Sequence, residues 1–321
     1  MSESKSALTY SSGLIRSMNS DVEISLSVSA TEFEKIVNET VEPFLAEFEQ
    51  TCSRFIPDNP LAQLNNSPNE SVEVPALLFE AVKVAADAFE RSNGLFDPRV
   101  ISTLKEIGYA DSFETGSSPR GSLPSTHTEM ESWRPQFEHV GSSYKINLSG
   151  APIDLGGIGK GLAVDLLSAS LRESAPSGFV NAGGDLQAWG HSPEGTAWRI
   201  GVENPFDSSE ADPLAVLEIS DTGLATSSVR KRRWKTQHGD DVHHLVNPKT
   251  GRPANSGLVA VTVVHKNTNV AETLTKTLFI EGESSILETC NGDQIAALWV
   301  TTQGEIGYSD SMKQHLIWMK P

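Results

Sequence analysis

A glycine-rich segment at residues 153–165, with the sequence IDLGGIGKGLAVD, has the residue types of a phosphate-binding turn. Its glycines let the backbone approach a ligand closely, and the apolar spacing from Leu162 onward predicts a helix that starts here. Free N–H groups at a helix N-terminus favour an anion, and Lys160 adds a mobile cation. The segment fits neither the Walker P-loop nor the Gly-x-Gly-x-x-Gly fingerprint. We expect a diphosphate to bind here; a plain tight turn is the alternative.

A second glycine signal, Asn181-Ala182-Gly183-Gly184-Asp185, follows a predicted strand. The paired glycines permit positive φ, and the Asn and Asp side chains can bind neighbouring backbone or a ligand hydroxyl. A hairpin turn and a ligand-binding turn are therefore both open.

Adjacent histidines, His243 and His244, precede a short apolar stretch and a Pro-Lys-Thr-Gly turn at 248–251. Imidazole titrates near neutral pH, so His244 is a candidate general base, with a structural histidine as the alternative. Because neighbouring residues of a strand point to opposite faces, we expect at most one of the pair in any given site.

Taken together and in this order, these segments resemble the ApbE family of FAD:protein FMN transferases. The similarity extends along most of the chain. Further matching segments are Met18-Asn19-Ser20, Ser53-Arg54-Phe55, Leu61-Ala62-Gln63-Leu64-Asn65, Gly94-Leu95-Phe96-Asp97-Pro98, Leu224-Ala225-Thr226-Ser227-Ser228 and the stretch 271–282. Small departures from the family pattern are Asn19 and Ser228 for Gly, Gly159 for Ala, and Asn247 for Asp, the last of which removes a charge near His244.

The resemblance implies an enzyme that cleaves FAD, attaches the FMN half to a threonine of a partner flavoprotein and releases AMP, with Mg²⁺ assisting. It implies that His244 deprotonates the acceptor threonine. The cofactor-binding residues implied are Met18, Phe55, Leu95, Phe96, Asp97, Asp154, Lys160, Asn181, Gly183, Gly184, Asp185, Thr226 and Val246. The alternative function is an FAD-binding protein or FAD pyrophosphatase with weakened transfer.

The metal site is where the chain departs most from the family. The resemblance implies ligands from an Asp, a Thr four residues later and a backbone oxygen of the glycine-rich turn; the corresponding residues here are Glu272, Lys276 and Gly157. An ammonium has no acceptor and repels Mg²⁺. Three alternatives stay open: Thr275 or Thr277 supplies the hydroxyl, Lys276 does part of the electrostatic work of the metal, or Glu272 and Lys276 form an ordinary helix ion pair.

Hydrophobic periodicity predicts the elements that must position these residues. Alternation from Val22 to Val28 predicts a strand, and helical spacing from Phe33 to Phe48 predicts a helix that Pro43 kinks or interrupts. A second helix is predicted over about 75–92, further strands at 144–148, 177–181, 198–202, 214–219 and 259–264, and further helices after Gly159 and Asn269. The mixture predicts an α+β fold. The resemblance implies two closely packed lobes with the FAD cleft between them.

The length of 321 residues fits one large domain, which we place at 16–321 after a flexible N-terminus at 1–15. The stretch from about 113 to 130 is rich in Ser, Gly, Pro and Thr without periodicity, which predicts an exposed loop insertion.

Composition narrows the classes of partner. With 25 basic and 42 acidic residues, the net charge of −17 disfavours nucleic acid, and the basic run 230–235 is interpreted as a solvated strand or hairpin face. Only two cysteines occur, Cys52 and Cys290, which favours a reducing compartment and two buried small side chains. No apolar stretch has membrane length, and the N-terminus carries no h-region, so we expect a cytoplasmic protein. A homodimer is left open.

Overall fold

The structure, a computed structural model, describes residues 9–109, 121–124, 132–207, 212–230 and 232–320. Its helices are α1 Ala30–Ile36, α2 Glu42–Cys52, α3 Pro60–Asn66, α4 Ala76–Arg91, α5 Ile101–Glu106, α6 Gly159–Leu171, α7 Thr268–Glu281 and α8 Glu283–Gly292, with a π-helical segment at Val37–Val41 and 3-10 turns at Pro98–Val100 and Asp310–Gln314. Its strands are β1 Ser11–Ser17, β2 Ser20–Leu26, β3 Val72–Val74, β4 Gln136–Val140, β5 Ser143–Asn147, β6 Gly178–Ala182, β7 Asp185–Trp189, β8 Trp198–Val202, β9 Ala215–Ile219, β10 Thr222–Ser228, β11 Arg233–Lys235, β12 Asp241–His243, β13 Val246–Asn247, β14 Arg252–Pro253, β15 Leu258–His265, β16 Ala296–Thr301, β17 Ile306–Tyr308 and β18 Leu316–Met319.

The largest sheet among the described residues is antiparallel throughout, with strand order β1-β2-β6-β7-β10-β15-β16-β17. Two three-stranded sheets, β18-β9-β8 and β3-β5-β4, accompany it. Helices therefore pack against an antiparallel sheet instead of crossing between parallel strands, and the predicted α+β fold class is confirmed.

Alternation along the central strands separates two cores. In β15, Val261 and Val263 face α7 and α8, while Ala260 and Val264 face the small sheet β18-β9-β8. On the same side as α7, strands β2 and β6 pack against α1 and α6. A further core joins α2, α3 and α4 to the sheet β3-β5-β4 and to the start of α6. We call α2, α3 and α4 with the sheet β3-β5-β4 the helical lobe, and the largest sheet with the elements packed on it the sheet lobe. The two lobes meet at α6, which begins directly after the glycine-rich turn.

Proline at position 43 changes the helix without ending it. The helical stretch continues from α1 through the π-helical turn Val37–Val41 into α2, with Pro43 in the first turn of α2. Proline cannot donate the N–H that an uninterrupted α-helix needs, and a wider turn accommodates the missing bond. The predicted interruption is thus a π-helical turn.

The N-terminal boundary differs from the prediction. Ser11–Ser17 pairs along its length with β2, so residues 11–15 belong to a strand and not to a flexible N-terminus, because their backbone groups complete the sheet edge. Most of the predicted loop at 113–130 lies outside the described residues. Both cysteines are free and buried, as expected. Among the described residues, none of the helices combines the length and apolar content needed to cross a bilayer.

The basic run at 230–235 forms part of a hairpin. Arg233 and Lys235 are exposed on β11 and lie near Asp241 of β12, while Trp234 is buried between them. The interpretation as a solvated hairpin face is confirmed for Arg233 and Lys235, whereas Arg230 and Arg232 are half-buried.

Candidate functional site

A cleft opens between the helical lobe and the residues around β13 and α7. Its walls bring together most of the residues predicted for the site: the cofactor-binding residues Met18, Phe55, Leu95, Phe96, Asp97, Asp154, Lys160 and Val246, the catalytic candidate His244, and Gly157 and Lys276 of the implied metal site. These residues come from distant parts of the chain, and the fold brings them together in one site.

The glycine-rich turn forms the floor of the cleft. Asp154 accepts a hydrogen bond from the Gly156 N–H at 2.9 Å and forms an ion pair with the Arg54 guanidinium at 3.2 Å. The amide side chain of Asn65 holds the segment before the turn by bonding both the N–H and the C=O of Ile153, at 2.8 and 2.9 Å. The turn then enters α6 at Gly159, whose N–H bonds the Leu155 carbonyl at 2.7 Å, and Gly159 and Lys160 at the start of that helix line the cleft.

Aromatic side chains form one end of the cleft. The Arg54 guanidinium lies 4.1 Å from the centre of the Phe55 ring and 4.9 Å from that of Tyr109, and it donates to the Tyr109 carbonyl at 2.9 Å. A planar cation stacked on rings fixes their orientation. Arg54 and Tyr109 were not predicted as site residues; the position of Arg54 between the matched residues Ser53 and Phe55 was the available signal.

Met18 reaches the cleft from a strained hairpin. Met18 and Asn19 form the two-residue turn between β1 and β2, with φ of 51° and 55°. Positive φ is unfavourable for methionine, whereas asparagine tolerates it, which suits Asn19 to a family glycine position. The Glu49 carboxylate accepts from the Met18 N–H at 3.2 Å and from the Ser17 hydroxyl at 3.1 Å, and so holds the turn. Nothing in the sequence marks Glu49 as a site residue.

The turn 95–97 follows α4, and its aspartate has a structural role. Both oxygens of Asp97 accept from the Arg99 guanidinium, at 3.0 and 2.8 Å, and one also accepts from the Arg99 N–H at 2.8 Å. Asp97 therefore caps the 3-10 turn while Phe96 and Leu95 face the cleft.

A cluster of alternating charges lies at the inner end of the cleft. Lys160 forms an ion pair with the buried Asp185 and lies 3.7 Å from Glu272. Lys276 donates to the same Glu272 oxygen at 3.2 Å and to the Glu272 carbonyl at 3.1 Å. The other carboxylate oxygen accepts from the Gly161 N–H at 2.8 Å, which ties α6 to α7.

Burial and mutual attraction set the charge states of this cluster. Burial lowers the pKa of Lys160 to about 8, although the Glu272 charge opposes the shift. Burial also lowers the pKa of Lys276, again against Glu272. Burial alone would raise the pKa of Glu272, but the two lysine charges outweigh it, and that pKa lies below its ordinary value. Near neutral pH the cluster thus retains its ion pairs.

The residues at the implied metal site do not fit a divalent cation. Magnesium requires oxygen ligands, yet Glu272 already bonds an ammonium and a backbone N–H, and Lys276 offers no acceptor. Neither Thr275 nor Thr277 lines the cleft, since their hydroxyls bond Ser227 and the Leu274 carbonyl. No three His, Cys, Asp or Glu side chains are grouped to hold a metal in the part of the chain that the structure describes.

His244 is the histidine that enters the cleft. Its Nδ1 atom is buried and has no hydrogen-bond partner among the described residues. Burial lowers the pKa of His244 well below its ordinary value, and nearby Arg232 and Lys276 lower it further, so the ring is neutral at pH 7. His243 points elsewhere, with its ring nitrogens on the Ala254 carbonyl and the Leu245 N–H. Of the pair, His244 alone lines the cleft, in line with the expectation that at most one of them enters any given site.

Several predicted cofactor contacts lie outside the cleft. Asn181 accepts from the Gly184 N–H at 2.9 Å, and Gly183 and Gly184 have φ of 65° and 99°, so the segment is the hairpin turn between β6 and β7. Of that segment only Asp185 reaches the site, through Lys160. Thr226 bonds Thr262 across the sheet at 2.9 Å instead of lining the cleft.

Asn247 also acts locally. Its side-chain oxygen accepts from the Lys249 N–H at 2.9 Å, and its carbonyl accepts from the Gly251 N–H at 2.9 Å. The residue therefore caps the turn after β13 and positions Val246 and Pro248 along the cleft wall.

Comparisons with known proteins agree with this arrangement. The model of the ApbE family matches residues 18–299. FAD:protein FMN transferases of Haemophilus influenzae and Vibrio cholerae are each 27% identical, over 89% and 86% of this chain and 84% and 83% of their own. The crystal structure of an ApbE protein from Thermotoga maritima is similar with a TM-score of 0.79 and 25% identity, over 95% of this chain and 99% of that one. A Pseudomonas stutzeri flavinyl transferase shares the fold, with a TM-score of 0.77.

The family model covers the segment from the Met18 hairpin to β16, which contains every wall of the cleft. The chain belongs to the ApbE family.

Proposed function

We propose that this chain is an FAD:protein FMN transferase, which attaches FMN from FAD to a threonine of a partner flavoprotein and releases AMP. One observation carries the proposal: a neutral imidazole, His244, lines the same cleft as the glycine-rich turn and two lysines. The relatives that bear this activity in their names cover most of the chain.

FAD fits the chemistry of the cleft walls. The N-terminus of α6 and the ammonium groups of Lys160 and Lys276 favour the diphosphate at the inner end. Phe55, fixed by Arg54, offers a ring face for stacking at the other end. Leu95, Phe96 and Met18 contribute apolar surface to the cleft walls.

The transfer step is a displacement at phosphorus. The threonine Oγ of the acceptor forms a bond to the phosphorus of the FMN half, and the bond from that phosphorus to the bridging oxygen breaks, so that this oxygen leaves with AMP. The hydroxyl proton passes to the imidazole of His244, which is neutral at pH 7 and lines the cleft. The lysines offset the charge that develops on the phosphoryl oxygens.

The test uses purified protein, FAD and a flavoprotein domain with an acceptor threonine, and follows AMP release and covalent flavin by mass spectrometry. His244→Ala should abolish transfer and spare FAD binding, while the exposed His238→Ala serves as the matched control. AMP release without a flavinylated acceptor would instead support an FAD pyrophosphatase, and intact bound FAD would support a flavin-binding protein. Loss of FAD binding in His244→Ala would make that histidine structural.

A further inference from the structure

We propose that the ammonium group of Lys276, together with that of Lys160, takes the place of a divalent cation at the diphosphate, so that FAD binding by this chain requires no Mg²⁺. The inference rests on the proposed function and concerns how the same cleft neutralises its substrate.

The position of Lys276 carries the first step. Its side chain crosses from α7 to the glycine-rich turn, where a Cβ added to Gly157 would lie 3.4 Å from Lys276 Cε and 3.1 Å from the Phe96 ring. The aliphatic stem thus packs on the turn that would receive a phosphate, and the ammonium follows at the end of that stem. Only 16% of the side chain is exposed, so the charge acts in a poorly solvated cleft.

The state of Glu272 carries the second step. This carboxylate is 1% exposed and bonds Lys276 and the Gly161 N–H, with Lys160 at 3.7 Å. A divalent cation could use it only by displacing an ammonium, and the displaced ammonium would then lie beside the metal. The carboxylate therefore serves as the anchor that positions two lysines.

The charge balance of the cluster carries the third step. Two carboxylates, Asp185 and Glu272, meet the two ammonium groups, and the Arg232 guanidinium on the cleft wall is close enough to lower the pKa of both lysines. Three cations against two anions leave an excess positive charge facing the cleft. A bound diphosphate supplies negative charge that offsets this excess, so the cluster does not need a divalent cation to hold it.

Removing the Lys276 charge should weaken FAD binding in the absence of metal. A charge-assisted bond to phosphate is lost, which corresponds to an affinity loss of roughly 10- to 100-fold. In Lys276→Thr, a hydroxyl oxygen that can coordinate a metal ion also replaces the ammonium, and the Glu272 carboxylate loses its hydrogen bond to Lys276. Magnesium should then restore part of the affinity.

The experiment measures FAD affinity by flavin fluorescence, in EDTA and in millimolar Mg²⁺. The proteins are wild type, Lys276→Thr, Lys276→Met and Lys83→Thr. Met retains the stem that packs on Gly157, so a folding defect is separated from loss of charge. Lys83 is exposed on α4 and provides the same substitution in a helix away from the cleft. Thermal unfolding of each protein checks that it is folded.

We expect wild type and Lys83→Thr to bind FAD equally well in EDTA and Mg²⁺, both Lys276 variants to bind weakly in EDTA, and only Lys276→Thr to recover with Mg²⁺. Wild-type binding that collapses in EDTA, or Lys276 variants that bind like wild type, would overturn the inference and leave the proposed function intact. Tight FAD binding without transfer of FMN to any acceptor would overturn the proposed function and not the role of Lys276.

Discussion

Replacement of Gly161 by alanine tests whether the contact between α6 and α7 holds the charge cluster together. A Cβ at this position would lie 2.8 Å from Asn269 Cα and 2.9 Å from the Thr268 carbonyl carbon, both in the backbone of α7. Ordinary contact begins at about 3.4 Å, so the helices must separate locally by about 0.6 Å. The same movement stretches the 2.8 Å bond from the Gly161 N–H to Glu272 beyond the range of a good charge-assisted bond.

The cost follows from these two effects. Overpacking of a closely packed contact costs about 1–3 kcal/mol, and loss of a hydrogen bond to a buried carboxylate costs about 1.5–3 kcal/mol. Alanine returns up to about 1 kcal/mol through its higher helix propensity. A net loss of about 3 kcal/mol remains. At about 2 °C per kcal/mol for a chain of this size, the midpoint of thermal unfolding should fall by about 6 °C.

Gly159→Ala is the matched control in the same helix. There the nearest atom to an added Cβ is Phe48 Cε1 at 3.7 Å, an ordinary contact, so the same substitution should leave the unfolding midpoint unchanged or raise it slightly. Calorimetry of the three proteins side by side makes the comparison. A Gly161→Ala midpoint within about 1 °C of wild type would refute the close approach of α6 and α7 and the anchoring of Glu272 derived from it.

Three further predictions concern other parts of the site. Burial holds the pKa of His244 well below its ordinary value, so the unfolded chain binds a proton below about pH 6.5 that the folded chain does not. Proton binding then favours the unfolded chain, and the free energy of unfolding decreases as the pH falls. The unfolding midpoint of wild type should therefore fall more between pH 7 and 5 than that of His244→Gln; equal slopes would contradict a buried neutral ring. Asn65→Ala leaves the N–H and C=O of Ile153 unpaired and should lower the free energy of unfolding, measured in urea, by about 1–3 kcal/mol. An unchanged free energy of unfolding would show that Asn65 does not hold this segment. Arg54→Lys keeps the charge but loses the flat stack over Phe55, and FAD affinity should weaken several-fold in fluorescence titration; an unchanged affinity would remove Arg54 from the binding site.

The predictable part of the fold was local in the sequence. Alternation from Val22 to Val28 needs no information about other strands, and it identified β2 within two residues at either end. The effect of Pro43 was also local, because a missing N–H acts on the preceding turn. Strand β1 was missed because Ser11–Ser17 carries little apolar alternation of its own and is a strand by virtue of its pairing with β2.

Site residues were predictable where they lie in segments that resemble the family in sequence. They were not predictable where their role depends on contacts between distant segments. Nothing in the sequence around Glu49 or Tyr109 distinguishes them from other glutamates and tyrosines. They enter the cleft because α2 carries Glu49 beneath the Met18 hairpin and because Arg54 bonds the Tyr109 carbonyl. Such contacts depend on how the lobes pack, which periodicity does not specify.

The segment 181–185 shows why a turn motif alone was ambiguous between structure and ligand binding. Its two glycines close a hairpin, so Asp185 becomes the first residue of β7, opposite Ala182. Along β7, successive side chains point to opposite faces of the sheet. Leu186 and Ala188 enter the core beneath the sheet β18-β9-β8, while Gln187 on the other face accepts a hydrogen bond from Thr268 at the start of α7. Asp185 shares that face and therefore meets Lys160 of α6. A shift of β7 by one residue would turn Asp185 into the apolar core and take its carboxylate away from Lys160, so the register of the hairpin is what brings Asp185 to the site.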